Sequence, residues 1–114
     1  MRNLTIYRAK AMAACLMSVS FYITSNASLD EGEEVEIGGE QCKKLGQLNN
    51  NEEQTFLIGE GSAKVFAIYS LSSRNIWDQI KIPAGPESIR IGGKCRLAPS
   101  VGNPFNFEEK VEII

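Results

Sequence analysis

The run Lys64-Val-Phe-Ala-Ile-Tyr69 limits what this chain can become more than any other stretch. Successive side chains of an extended strand point to opposite faces. Phe66 and Ile68 alternate with Val65, Ala67 and Tyr69, so a strand here has one fully apolar face and another nearly so. Such a strand must be covered on both sides. Around it, Leu45 to Tyr69 holds three short apolar runs separated by Asn49-Asn50-Asn51 and by a Gly- and Ser-rich cluster at 59–62, the grammar of a β-meander.

The rest of the chain extends the same pattern, and its 114 residues suffice for one domain with a real core. Alternation predicts strand one over Asn3 to Lys10 and strand two over Met17 to Thr24, with residues 11–16 as their connection. Val35 and Ile37 alternate with Glu34 and Glu36, an edge strand with a charged outer face. Gly38-Gly39 follows, and a matching Gly92-Gly93 sits between Ile89-Arg-Ile and Lys94-Cys-Arg-Leu. Both dipeptides are expected to form tight two-residue hairpins. Ser70 to Asp78 has weak helical character at best, Ile80 and Ile82 form a short strand stopped at Pro83, and 98–104 reads as a loop. The expectation is all-β: an antiparallel β-sandwich of about eight to ten short strands with Gly-Gly hairpins, one domain over 1–114. Its core is drawn from Ile6, Val19, Phe21, Ile23, Leu48, Phe56, Ile58, Phe66, Ile68, Ile80, Ile82, Ile89 and Ile91.

A second reading competes at the N-terminus. Arg2, Arg8 and Lys10, an uncharged stretch from Ala11 to Tyr22 and the small residues Ser25-Asn26-Ala27 also spell a signal peptide over 1–27. On periodicity alone the two readings stand level. The strand reading implies a cytoplasmic protein, and the leader reading a secreted or periplasmic one.

Charge and residue inventory narrow the chemistry. Residues 30–60 carry nine acidic and two basic side chains, whereas 61–98 carry six basic and two acidic, within a net charge of −2. A net-acidic domain lacks the phosphate-neutralising surface on which nucleic-acid affinity depends. The chain has no histidine, which removes the usual general base and the commonest metal ligand, and no cofactor motif. The segment Gly59-Glu-Gly-Ser-Ala-Lys64 lacks the Gly-Lys-Ser/Thr of a phosphate loop, and Lys64 opens a strand. Asp30-Glu-Gly-Glu-Glu34 is a dense carboxylate run without the spacing of a calcium loop. Trp77 with Arg74 and Tyr69 could form a binding surface, or Trp77 could plug an end of the sandwich.

Two sets of residues remain as candidates. Lys81, Arg90, Lys94 and Arg96 would form a basic edge if the Gly92-Gly93 hairpin projects, suited to an acidic protein or, through a partner, to a membrane. Glu33, Glu34, Glu36 and Glu40 on the other hairpin would permit head-to-tail self-association, and both sets also fit plain solvated charge. Of Cys15, Cys42 and Cys95, the latter two follow similar Gly-Gly dipeptides. They either bridge or remain free thiols packed as small hydrophobes.

Taken together, Leu4-Thr-Ile-Tyr-Arg-Ala-Lys, Cys42-Lys-Lys-Leu-Gly-Gln-Leu, Gln54-Thr-Phe-Leu-Ile-Gly, Ala63-Lys-Val-Phe-Ala-Ile, Ile82-Pro-Ala-Gly and Ser100-Val-Gly-Asn-Pro-Phe resemble a group of uncharacterised small bacterial β-sandwich domains. More loosely, the order of strand, polar turn, Phe-containing strand and Pro-Ala-Gly turn is similar to PEGA-like modules. The resemblance implies a sandwich in which residues 3–9 form the first strand. It implies no catalytic, cofactor or metal residues, and the function expected is a non-enzymatic interaction or accessory domain with a protein partner.

Overall fold

The computed structural model describes residues 1–12, 17–71, 74–96 and 105–114, so Cys15 and the loop expected at 98–104 lie outside the described residues. Among the described residues the chain forms ten strands: β1 Arg2–Ala9, β2 Val19–Thr24, β3 Glu34–Ile37, β4 Glu40–Leu48, β5 Glu52–Ile58, β6 Ala63–Leu71, β7 Arg74–Ile82, β8 Ile89–Cys95, β9 Phe105–Phe107 and β10 Glu112–Ile113. They make two packed five-stranded sheets. The first has the order β5-β1-β8, with β9 and β10 in line along the far edge of β8, and the second runs β3-β4-β2-β6-β7. The class expected from alternation is therefore the class observed.

Alternation decides what each strand buries. In β1, Leu4 and Ile6 enter the core while Asn3 and Tyr7 face outward. The same inward row ends in two arginines, and each is buried by giving its guanidinium to backbone carbonyls. Arg2 donates to Gly59, Gly61 and Pro83 at 3.2, 3.1 and 2.6 Å. Arg8 donates to Met17 and Leu48 at 2.5 and 2.9 Å. A buried charge is tolerable only when hydrogen-bonded in this way. Two of the three basic residues that resemble a leader's n-region, Arg2 and Arg8, are thus ties within the sandwich, while Lys10 is exposed.

β2 is the centre of the second sheet and brings Val19, Phe21 and Ile23 to the core. Phe21 meets Phe105 and Phe107 edge-on at 5.4 and 6.0 Å, and those two rings meet at 5.3 Å. This trio locks β9 of one sheet onto β2 of the other. Cleavage near Ala27 would remove a central strand from each sheet.

β6 is two-faced as expected: Val65, Ala67 and Tyr69 enter the space between the sheets, while Phe66 and Ile68 are buried on the opposite face with Ile37 and Cys42. Of the expected core, only Phe56 is half-buried, its ring lying 3.1 Å from where a Cβ on Gly46 would sit. The three runs from 45 to 69 are not a meander. β4 and β6 belong to one sheet and β5 to the other, and the chain crosses through Asn51, held at φ +61°. The stretch Ser70 to Asp78 is not weakly helical, because β7 pairs with β6 along its whole length, from Ala63 opposite Ile82 to Leu71 opposite Arg74.

The two Gly-Gly dipeptides have different roles. Gly38 and Gly39 have φ of +59° and +84°, the two positive values of a tight hairpin. Gly92 and Gly93 form no hairpin and lie inside β8, which pairs in parallel with β1. Close packing, not a turn, requires them: an added Cβ would lie 2.3 Å from the Tyr7 ring at Gly92 and 2.0 Å from the Asn106 carbonyl oxygen at Gly93. The disulfide also falls away. Cys42 and Cys95 are free, Cys42 packing on the outer face of the second sheet and Cys95 between the sheets, so sheet two separates them.

Candidate functional site

The outer faces of the two sheets are built differently. On the first sheet, Tyr7 lies across Gly92, Arg90 stacks 4.1 Å from the Tyr7 ring centroid and pairs with Glu53 at 3.1 Å, and the Tyr7 hydroxyl donates to Glu108 at 3.0 Å. Partial burial first, and then this bond to Glu108, hold the Tyr7 pKa above its ordinary value. The Thr5 and Thr55 hydroxyls share a bond of 2.9 Å beside it. Beside this cluster a hollow of about 390 Å³ opens between Tyr7, Lys10, Glu52, Glu53 and Arg90, and Leu57 on the same face is 53% exposed.

The outer face of the second sheet carries a further layer. Register in β2–β4 slips between Phe21 and Tyr22, so Leu45 is the extra residue, and such a bulge bends its strand. The β3–β4 hairpin lies over the sheet: Ile37 and Cys42 pack on Phe66 and Ile68 with Tyr22 at the margin. A Cβ on Gly38 would be 3.6 Å from both the Phe66 ring and the Trp77 indole. Burial, then the Glu40 carboxylate, pushes the Cys42 thiol up to about 11, so it is a protonated packing element at neutral pH.

Two cavities flank this layer. A groove of about 240 Å³ runs between the hairpin and β7, lined by Val35, Glu36, Ile37 and Gly38 on one side and by Ser20, Tyr22, Ile68 and Trp77 from the sheet. Val35 and Trp77 remain 42% and 44% exposed at its mouth. A wider hollow of about 550 Å³ lies towards the other end, where Lys64 and Lys81 stand directly opposite each other across β6 and β7. Glu40 reaches Lys64 at 3.0 Å and is, among the described residues, the only carboxylate lining that hollow.

The basic set expected from the sequence is divided. Arg90 and Lys94 share β8 of the first sheet, Arg96 follows that strand, and Lys81 lies on the second sheet, so no single basic edge forms. Trp77 neither plugs the sandwich nor joins Tyr69, which points into the core from the other face, and the Arg74 side chain is outside the described set. In the acidic loop, the Asp30 carboxylate accepts the Gly32 amide at 3.1 Å, and Lys43 donates to the Asp30 carbonyl. Among the described residues no three metal-ligating side chains gather. Lys64 belongs to β6, as its reading against a phosphate loop requires. The groove has one sign in the sequence: Trp77-Asp-Gln-Ile-Lys alternates in phase with β6, and the indole stands opposite Ile68.

Among the described residues no helix is long and apolar enough to cross a membrane. No family model, curated protein or solved structure matches the chain.

Proposed function

We propose that this chain is a non-enzymatic interaction domain of a bacterial system, retained whole in the cytoplasm, that engages a partner protein through the outer face of its second sheet. The observation that carries this reading is on that outer face, where the exposed Trp77 and Val35 side chains stand at the mouth of a preformed groove. Exposed aromatic anchors beside a concavity are the usual centre of a protein interface. Nucleic acid is not the partner on charge grounds. A membrane is reached, on this reading, only through the partner.

Site-specific photo-cross-linking tests it. A benzophenone side chain at exposed Gln79, beside the groove on the same face, should give a discrete adduct in cells. The same group at Thr55 on the first sheet should give none, and Trp77→Ala should remove the Gln79 adduct. Adducts of equal yield from both faces, or none from Gln79, would overturn the proposal.

A further inference from the structure

We infer that the groove selects a basic side chain, an arginine or lysine presented by the partner; the inference rests on the interface reading above and gives that interface its chemistry. The groove offers two aromatic rings, the half-buried Tyr22 phenol and the Trp77 indole, with apolar contact from Val35 and Ile68. Cations are attracted to the faces of such rings, most strongly to tryptophan, while the alkyl stem of arginine or lysine covers apolar surface.

The surrounding charge has the matching sign. Glu36 is part of the lining, Glu33 and Glu34 precede it, all three are exposed, and none makes an ion pair among the described residues. Of the cations on this hairpin and face, Lys64 is held by Glu40, Lys81 stands opposite Lys64 in the wider hollow, Lys44 lies cross-strand from Tyr22, and Lys43 lies cross-strand from Glu34 with its ammonium on the Asp30 carbonyl. An acidic side chain in the groove would meet the like charge of Glu36, whereas a basic one meets its opposite. Complementary charge at a rim chiefly sets partner choice and the rate of encounter.

Binding of Nα-acetyl-arginine amide and of the equally shaped but neutral citrulline amide to the full chain separates charge from shape. In amide-resolved NMR, the arginine compound should shift Trp77 Nε1–H and the amides of Ser20, Ile37 and Gly38 saturably, about fivefold more tightly than citrulline amide. Glu36→Gln should weaken the arginine compound roughly two- to threefold without moving distant signals. Trp77→Leu should abolish saturation with the spectrum of the first sheet unchanged. Equal affinity for the two compounds, shifts confined to residues 30–34, or no saturable shift would overturn the cation inference. The interface reading would then stand or fall separately on the Gln79 adduct.

Discussion

A chain beginning at Ser28 is expected to show no cooperative unfolding transition. The missing residues include β1 and β2, which sit between two neighbours in their respective sheets, so both layers would be split lengthwise. They also include Leu4, Ile6, Val19, Phe21 and Ile23, each fully buried. At about 1.5–3 kcal/mol per large apolar side chain, these five alone account for about the whole 5–15 kcal/mol that holds a typical domain together. Loss of Arg2 and Arg8 further leaves four backbone carbonyls of the remaining chain, those of Leu48, Gly59, Gly61 and Pro83, without their guanidinium donors. Far-ultraviolet circular dichroism during a urea titration is the check: the full chain should give one sigmoid and the shortened chain a featureless slope. A sigmoid from the shortened chain would show that residues 28–114 fold without these strands.

Gly93→Asn should destabilise the protein by about 3 kcal/mol or more, lowering the melting temperature by roughly 10 °C. At Gly93 even a Cβ would fall 2.0 Å from the Asn106 carbonyl oxygen and 2.9 Å from the Phe107 Cα, both backbone atoms that cannot rotate aside. β9 must retreat, and with it Phe105 and Phe107, which hold Phe21 in the edge-on trio. Overpacking costs about 1–3 kcal/mol, and each broken aromatic pair adds about 0.5–1.5 kcal/mol. Gly39→Asn is the matched control, because Gly39 has a turn's positive φ and nothing within 4 Å of an added Cβ, and asparagine tolerates that conformation. The control should stay within about 1 kcal/mol of the parent. Thermal unfolding of the two variants side by side would contradict the strand assignment if both were equally mild.

The same dipeptide therefore serves opposite purposes, and the difference was present in the phase of the alternation. Across Gly92-Gly93 the buried side chains Ile89, Ile91 and Cys95 keep one parity, as a continuous strand demands. Across Gly38-Gly39 the buried residues change from Ile37 to Cys42, as a two-residue hairpin demands. Composition suggested two turns where parity distinguished one. The two-faced burial of β6 was equally legible, because Phe66 and Ile68 are too apolar to face water in a row. Strand partners were not legible in the same way. Alternation fixes which face a residue occupies but not which sheet its strand joins, so β4, β5 and β6 read as a meander although they alternate between layers. β7 was obscured by Asp78, a carboxylate in the row that otherwise brings Ile80 and Ile82 inward. It accepts the Phe107 amide at 2.8 Å and so ties the edges of the two sheets together. The groove depends on the β3–β4 hairpin lying over its own sheet, a long-range arrangement for which no local pattern provides a sign.

Amide hydrogen exchange on the full chain tests most directly whether β1 lies between β5 and a continuous β8. The account predicts slow exchange through Thr5, Ile6, Tyr7 and Arg8 together with Ile91 and Gly93, all within ladders, and fast exchange at the Gly39 turn. Fast exchange along residues 2–9, or at Gly92 and Gly93 to the same degree as at Gly39, would contradict it.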